Sequence, residues 1–135
     1  MRHATLLVAD DFYTSLIGKT TLTGIYMDDI VIPHEVLANQ LIFFFIVEAD
    51  PTDLFEMVTL YVELPGGDKR ELRLPLDRFI PSRSDKVRWT IRYPLLFQMP
   101  TLKAGPIIAK VIHEKGELIV PAPHVMILAG SANKH

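Results

Sequence analysis

The sequence contains no cysteine among its 135 residues. This absence excludes disulfide bonds, thiol catalysis and thiolate metal ligands together, and it fits a reducing compartment. Long apolar runs are also missing, since the longest, Leu41 to Val47, has seven residues, whereas a membrane-spanning helix needs about twenty. The apolar run in the N-terminal segment MRHATLLVADD is too short for a secretory signal. We therefore expect a soluble, cytoplasmic protein without membrane association.

The local patterns of common catalytic sites are absent as well. None of the five histidines forms an HxH or HExxH pair, and no serine stands in a GxSxG elbow. Gly18-Lys19-Thr20 reproduces only the last three letters of a phosphate-binding loop. The sequence therefore favours a non-catalytic protein, although a catalytic site assembled from separate strands would leave no such pattern.

One short motif matches the signature of a known enzyme class. Tyr26-Met27-Asp28-Asp29 spells YMDD, the signature of the reverse-transcriptase palm, where two aspartates at a hairpin tip hold magnesium. Only 25 residues precede it, and they contain neither a palm strand-helix unit nor any fingers. A four-letter match needs a confirming structural context. We interpret this one as coincidence.

The same aspartates allow a different hypothesis. Asp10, Asp11, Asp28 and Asp29 would form a calcium or magnesium site if the two pairs converged at one end of a sandwich, because calcium takes six to eight oxygen ligands. The alternative is that both pairs mark turns, where aspartate bonds back to its own backbone. The sequence leaves both open.

Period-two alternation dominates the chain and predicts strands. Apolar residues alternate from Val58 to Leu64, the turn Pro65-Gly66-Gly67-Asp68 follows, and alternation resumes at Leu72. A second hairpin is predicted around Glu114 to Glu117. Only His34 to Gln40, after Pro33, is a candidate for a short helix. We predict an all-β antiparallel sandwich of about eight strands with at most one short helix, formed by residues 1–129, and a disordered tail at 130–135.

The segment Leu41 to Val47 is apolar on both faces of its predicted strand. In a two-layer sandwich only one face of a strand meets the core. The other face should be covered by the short helix, by a long loop or by a second subunit.

Charge is divided unevenly along the chain. Residues 1–68 hold eleven acidic and two basic residues, a net charge of −9, whereas residues 69–135 hold five acidic and twelve basic residues, a net charge of +7. Alternation places Arg73, Arg88 and Arg92 on outward faces, and they would form one stripe if their strands paired. Such a stripe, within the basic 69–92 region, would bind phosphate, nucleic acid or an acidic partner.

Two further interpretations of the charge division stay open. Cross-strand pairing between the acidic and basic halves would neutralise both within one fold. Complementary acidic and basic faces would instead favour a homo-oligomer or a protein partner.

Two segments carry a resemblance to a known group of proteins. The first is Leu6-Leu7-Val8-Ala9-Asp10-Asp11, and the second runs from Gly18 to Tyr26 as GKTTLTGIY. Together with Gly105-Pro106 they resemble a family of small bacterial domains of unknown function. The resemblance implies a β-sandwich and supplies no activity, cofactor or catalytic residue. It implies that Gly24 lets its strand bend or approach a neighbour closely and that Tyr26 is a packing residue.

Taken together, these patterns predict a non-catalytic binding or assembly module that acts through protein surfaces. The alternatives are a nucleic-acid- or phosphate-associated protein that uses the basic 69–92 region and a β-sandwich that binds a divalent cation.

Overall fold

The computed structural model of the protein describes residues 2–14, 20–75, 80–81 and 89–127. All regular structure in these residues is β-strand, which confirms the predicted all-β class. In this part of the chain there is accordingly no helix long and apolar enough to cross a membrane. Arg88 and the predicted tail at 130–135 lie outside the described residues.

The described residues form fourteen strands: β1 (Arg2–Thr14), β2 (Thr20–Ile25), β3 (Ile30–Ile32), β4 (Val36–Leu37), β5 (Gln40–Ala49), β6 (Val58–Glu63), β7 (Lys69–Leu74), β8 (Ile80–Pro81), β9 (Trp89–Gln98), β10 (Thr101–Leu102), β11 (Gly105–Pro106), β12 (Ile108–His113), β13 (Gly116–Val120) and β14 (His124–Ile127). Nine of them have four residues or more, close to the eight that were expected. The other five have two or three residues, too few to show an alternating pattern.

The strands pack as a sandwich. A five-stranded sheet, in the order β2-β1-β5-β9-β8, and a four-stranded sheet, in the order β13-β12-β6-β7, share one apolar core. Phe43 and Phe45 of β5 meet Leu60 of β6 and Val111 of β12 in that core, and all four side chains are fully buried.

Two smaller sheets complete the fold. The pair β10-β4 is antiparallel, whereas the three-stranded sheet β11-β14-β3 contains a parallel pair between β14 and β3. Ile30, Ile32 and Val125 of the three-stranded sheet are buried and belong to the common core. The small sheet therefore packs against the sandwich with one face.

Both predicted hairpins are confirmed. Strands β6 and β7 pair across the Pro65-Gly66-Gly67-Asp68 turn, where the backbone N–H of Leu64 donates to the carbonyl of Asp68 at 2.8 Å. Gly67 has a φ of +101°, which glycine adopts without strain. Strands β12 and β13 pair across Glu114 and Lys115.

The candidate helix at His34 to Gln40 does not form, which agrees with the prediction of at most one short helix. Val36 and Leu37 instead form β4 and pair with β10, and the backbone N–H of Ala38 donates to the carbonyl of Pro100 at 2.9 Å. These bonds satisfy the backbone across strands, and β5 begins at Gln40.

Strand β5 is buried on both faces, as its apolar sequence indicates. Phe43 and Phe45 point into the core, while Ile42 and Phe44 on the outer face are 0% and 6% exposed within the single chain. Leu22 of β2 lines a cleft with Phe44, so β2 reaches over this face. A strand of the same chain, rather than a helix, contributes the cover.

Candidate functional site

Asp10, Gly24 and Tyr26 form one unit where β1 meets β2. The Tyr26 hydroxyl donates to Oδ1 of Asp10 at 2.6 Å. Gly24 stands between the registered pairs Ala9–Ile25 and Asp11–Thr23 with a φ of +67°, and a Cβ there would collide with the Asp10 carboxylate. The close strand approach implied for Gly24 is therefore confirmed. Tyr26 is half-buried and packs against the core, which also confirms its packing role.

The Tyr26 phenol is held in its neutral form. Burial, followed by the hydrogen bond to Asp10 and the negative charge of Asp10, raises the pKa of Tyr26 to about 12. At neutral pH the phenol is therefore a hydrogen-bond donor that orients Asp10, and its high pKa makes it unsuited to act as a general base.

Asp11 is fixed on the neighbouring side. Its Oδ1 accepts hydrogen bonds from the Phe12 backbone N–H and from Nε2 of Gln40, both at 2.7 Å. Asp10 and Asp11 lie within β1 rather than in a turn, so the turn hypothesis is wrong for this pair. Together with Asn39 and Gln40 they line a polar cleft of about 450 Å³.

Asp28 and Asp29 line a different cleft, of about 350 Å³, and Tyr26 lies between the two clefts. Oδ1 of Asp29 accepts a hydrogen bond from the backbone N–H of His124 at 3.0 Å. Within the described residues, no three histidine, aspartate or glutamate side chains are grouped as metal ligands. The two aspartate pairs therefore line different clefts, and the binding of a divalent cation stays a prediction.

The YMDD segment links two different sheets. Tyr26 follows β2 of the five-stranded sheet, and β3 of the small sheet begins at Ile30. The two strands do not pair with each other, so this segment lacks the hairpin tip that a polymerase palm requires.

The predicted arginine stripe is not formed by Arg73 and Arg92. Both side chains are exposed, as expected, but Arg73 lies in β7 of the four-stranded sheet and Arg92 in β9 of the five-stranded sheet. Strand β7 pairs with β6 and strand β9 with β5 and β8, so the condition for a stripe is not met.

Charges of both signs alternate around Arg73. The strand register places three basic and three acidic described residues on the outer face of this sheet: Lys69, Arg73, Lys110, Glu63, Glu71 and Glu117. Lys110 Nζ lies 3.0 Å from a Glu117 carboxylate oxygen and 5.0 Å from the centre of the Tyr61 ring. Opposite charges are therefore neighbours on this face, and the register pair Glu63 and Lys69 brings together one residue from the acidic half and one from the basic half.

A cluster around Arg2 was missed by the sequence analysis. The Arg2 side chain is 6% exposed and forms ion pairs with Asp53 and Glu114. Its guanidinium also donates to the Leu54 carbonyl at 2.7 Å and lies 4.5 Å from the centre of the Phe55 ring. The partners are more than fifty positions away, so no local pattern signals the cluster.

His113 belongs to the same cluster. Its Nδ1 lies 2.9 Å from Nη1 of Arg2 and 3.2 Å from the backbone N of Lys115, and both of these groups are donors. Nδ1 is therefore unprotonated. Burial and the nearby Arg2 charge lower the pKa of His113, whereas the hydrogen bond from Arg2 lowers the pKa of Glu114 to about 2. The cluster joins β1 to the β12–β13 turn.

Apolar side chains are exposed on the outer face of the three-stranded sheet. Val31 of β3 and Met126 of β14 are registered partners, and they are 58% and 49% exposed. Asp29 and His124 lie beside them and line, with Met126, a shallow cleft of about 540 Å³. We call these four residues the small-sheet surface.

No known family model matches the sequence, and no curated protein shows significant similarity to it. The resemblance to small bacterial domains of unknown function therefore stays a prediction.

Proposed function

We propose that the protein is a non-catalytic binding module that captures a partner protein through the small-sheet surface. The observation that carries this proposal is the pair Val31 and Met126, two apolar side chains in register and exposed on a sheet whose other face is buried. The occupant is an extended partner segment with alternating apolar residues and at least one basic residue.

The strand arrangement supports an extended partner. In the described part of the chain, β3 pairs with β14 alone, which leaves its second edge as a template for another strand. Backbone hydrogen bonds to such an edge give affinity, and contacts with alternate side chains give specificity. Met126 is flexible and polarisable, which suits an adaptable contact.

The acidic residues beside β3 support a basic residue in the partner segment. Asp28 and Asp29 are both exposed just before β3. A lysine or arginine of the partner would meet these carboxylates as its apolar residues reach Val31. Complementary charges of this kind increase the encounter rate and the specificity.

The titratable groups with shifted pKa values support a binding role rather than a catalytic one. Glu114, His113 and Asp53 contact Arg2 or Lys115, and Tyr26 contacts Asp10. These contacts join strands and loops that are distant in sequence, so stabilisation of the fold accounts for these shifts. The pKa of Tyr61 is also raised, through its hydrogen bond to Glu63 on the same strand.

The test is a selection of random displayed peptides against the folded protein, followed by calorimetric titration of the enriched peptides. Enriched peptides should alternate apolar residues and carry lysine or arginine. Their affinity should fall by roughly tenfold or more in Met126→Glu and Val31→Glu. Ile119→Glu is the matched control, since Ile119 is 72% exposed on β13 of another sheet.

Peptides that bind Met126→Glu as tightly as the unchanged protein would overturn the proposal. An equal loss in Ile119→Glu would do the same, because the loss would then not be specific to the small-sheet surface.

A further inference from the structure

The outer face of the five-stranded sheet carries a cleft of about 450 Å³ that the proposed protein-binding function does not use. Strands β1, β2, β5 and β9 all contribute to its lining, which consists of Leu7, Thr20, Leu22, Ile25, Phe44 and Arg92. We propose that this cleft binds a small amphipathic carboxylate, with its alkyl chain against the apolar residues and its carboxylate on Arg92.

The floor of the cleft is apolar and well packed. Leu7, Phe44 and Pro94 are registered partners on three adjacent strands, so they form one row across the sheet. Phe44 is only 6% exposed, which fixes its ring. Leu22 and Ile25 approach from β2, and an alkyl chain lying here would lose contact with water along its length.

Arg92 stands one row further along the same face. It is the registered partner of Ile46, two residues from Phe44, so roughly 7 Å of strand separates the two rows. That spacing lets a ligand place its charged head on Arg92 while its chain lies over Phe44.

Arg92 has no ion-pair partner among the described residues. Arg2 is saturated with partners, and Arg70 donates to the Leu96 carbonyl at 2.8 Å. A guanidinium presents a fork of donors that matches the two oxygens of a carboxylate. Apolar walls strengthen this attraction relative to open water, and the Thr20 hydroxyl lines the same cleft as a further donor.

The composition of the lining selects the ligand class. A nucleic-acid backbone requires several cationic contacts, whereas this cleft offers one cation among aliphatic and aromatic groups. One positive charge beside an apolar floor matches one negative charge on an apolar tail. The volume also lies within the range of about 300–1,000 Å³ that is typical of small-molecule sites.

The test is calorimetric titration of the protein with octanoate, decanoate and dodecanoate, each below its micellar concentration. The affinity should increase with chain length, by up to roughly fourfold per methylene if each one is fully buried. Decanol should bind at least tenfold more weakly than decanoate, because it lacks the charge that Arg92 recognises.

Variants separate the head contact from the chain contact. Arg92→Gln should weaken decanoate binding at least tenfold and leave decanol binding unchanged, whereas Leu22→Ser should weaken both. Arg73→Gln is the matched control, since Arg73 is an exposed arginine in β7 on the other large sheet. Circular dichroism confirms that each variant is folded.

Four outcomes would overturn the proposal. They are no saturable binding of dodecanoate, an affinity independent of chain length, equal decanoate binding by Arg92→Gln and the unchanged protein, and equal binding of decanol and decanoate. The two proposals are tested separately, because Arg92→Gln should bind the selected peptides as tightly as the unchanged protein does. If it does, the loss of the carboxylate proposal would leave the small-sheet proposal standing.

Discussion

Arg2 and Glu114 form an ion pair although 112 positions separate them in the sequence. The same guanidinium accounts for the contacts with Asp53, Leu54, Phe55 and His113, so one nearly buried side chain joins the first strand to a loop and to a hairpin turn. Removal of Arg2 would leave Glu114 without its cation, Asp53 paired with Lys115, and the Phe55 ring without its cover.

Arg2→Met is therefore expected to destabilise the fold by about 1–3 kcal/mol, because it removes several hydrogen bonds of one nearly buried guanidinium, while the remaining carboxylates stay partly accessible to water. Urea unfolding followed by circular dichroism measures the loss. Arg73→Met, at an exposed position, should change the free energy of unfolding by less than about 0.5 kcal/mol. Equal stability of Arg2→Met and the unchanged protein would show that the cluster contributes nothing to stability.

Stability should also depend on pH through His113. Because Nδ1 accepts from Arg2 and Lys115, protonation breaks both contacts, and the folded pKa lies below the ordinary value. The unfolded chain therefore binds the proton more readily, so stability is fully present above about pH 6.5 and is lost as the pH falls through the lower folded pKa.

His113→Gln should remove this step from a plot of unfolding free energy against pH. His34→Gln, at an exposed histidine before β4, should retain it. A second step should follow in acid, because Glu114 has a folded pKa of about 2 and its contribution is lost as the pH falls below about 4.5. An identical pH profile for His113→Gln and the unchanged protein would contradict the assignment.

Gly24→Ala should be destabilising for two separable reasons. The φ of +67° disfavours any residue with a Cβ, and the new methyl group would collide with Asp10. We expect a loss of about 2–3 kcal/mol in thermal or urea unfolding. In the Asp10→Ala background the loss should shrink toward the φ component, about 1 kcal/mol, because the carboxylate is gone and only the Cβ of residue 10 remains close to the added methyl group.

Gly67→Ala is the control for the φ effect alone. Gly67 also has a positive φ, but no atom lies within 4 Å of the added Cβ. Additive effects of Gly24→Ala and Asp10→Ala would mean that the two residues do not interact.

Tyr26→Phe should cost about 1 kcal/mol, because it removes the hydrogen bond to Asp10 and keeps the packed ring. The raised pKa means that Tyr26 ionises near pH 12 in the folded protein, and that its contribution to stability is present below pH 10 and lost as the pH rises through 12. Ultraviolet difference absorbance follows the phenolate. A phenolate signal near pH 12 that remains unchanged in Tyr26→Phe would contradict the shift.

The features that sequence predicted well are local. The turn at Pro65-Gly66-Gly67-Asp68 and the strands beside it lie within about twenty residues, so alternation and turn chemistry suffice to find the hairpin. Alternation also predicted the outward faces of Arg73 and Arg92. It carries no information about which sheet each strand joins, and the arginine stripe failed for that reason.

The features that were missed depend on contacts between distant residues. Val36 and Leu37 form a strand only because Thr101 and Leu102 lie beside them. The sequence pattern contains Asp10, Gly24 and Tyr26. It does not show that the two aspartate pairs line different clefts, with Tyr26 between them. The Arg92 cleft needs residues from four strands and had no signal beyond one outward arginine.

The contact of Arg2 with Glu114 also affects the order in which the chain folds during synthesis by the ribosome. Chains grow at about 5–20 residues per second, so on the order of ten seconds passes between the appearance of Arg2 and that of Glu114. During this interval β1 already has β2 as a nearby partner, whereas its guanidinium still lacks Glu114 and His113. The nascent chain therefore completes the Arg2 cluster late. A co-translational intermediate with β1, β2 and β5 assembled would have its core face covered only in part, by β6 and β7, until β12 and β13 are synthesised.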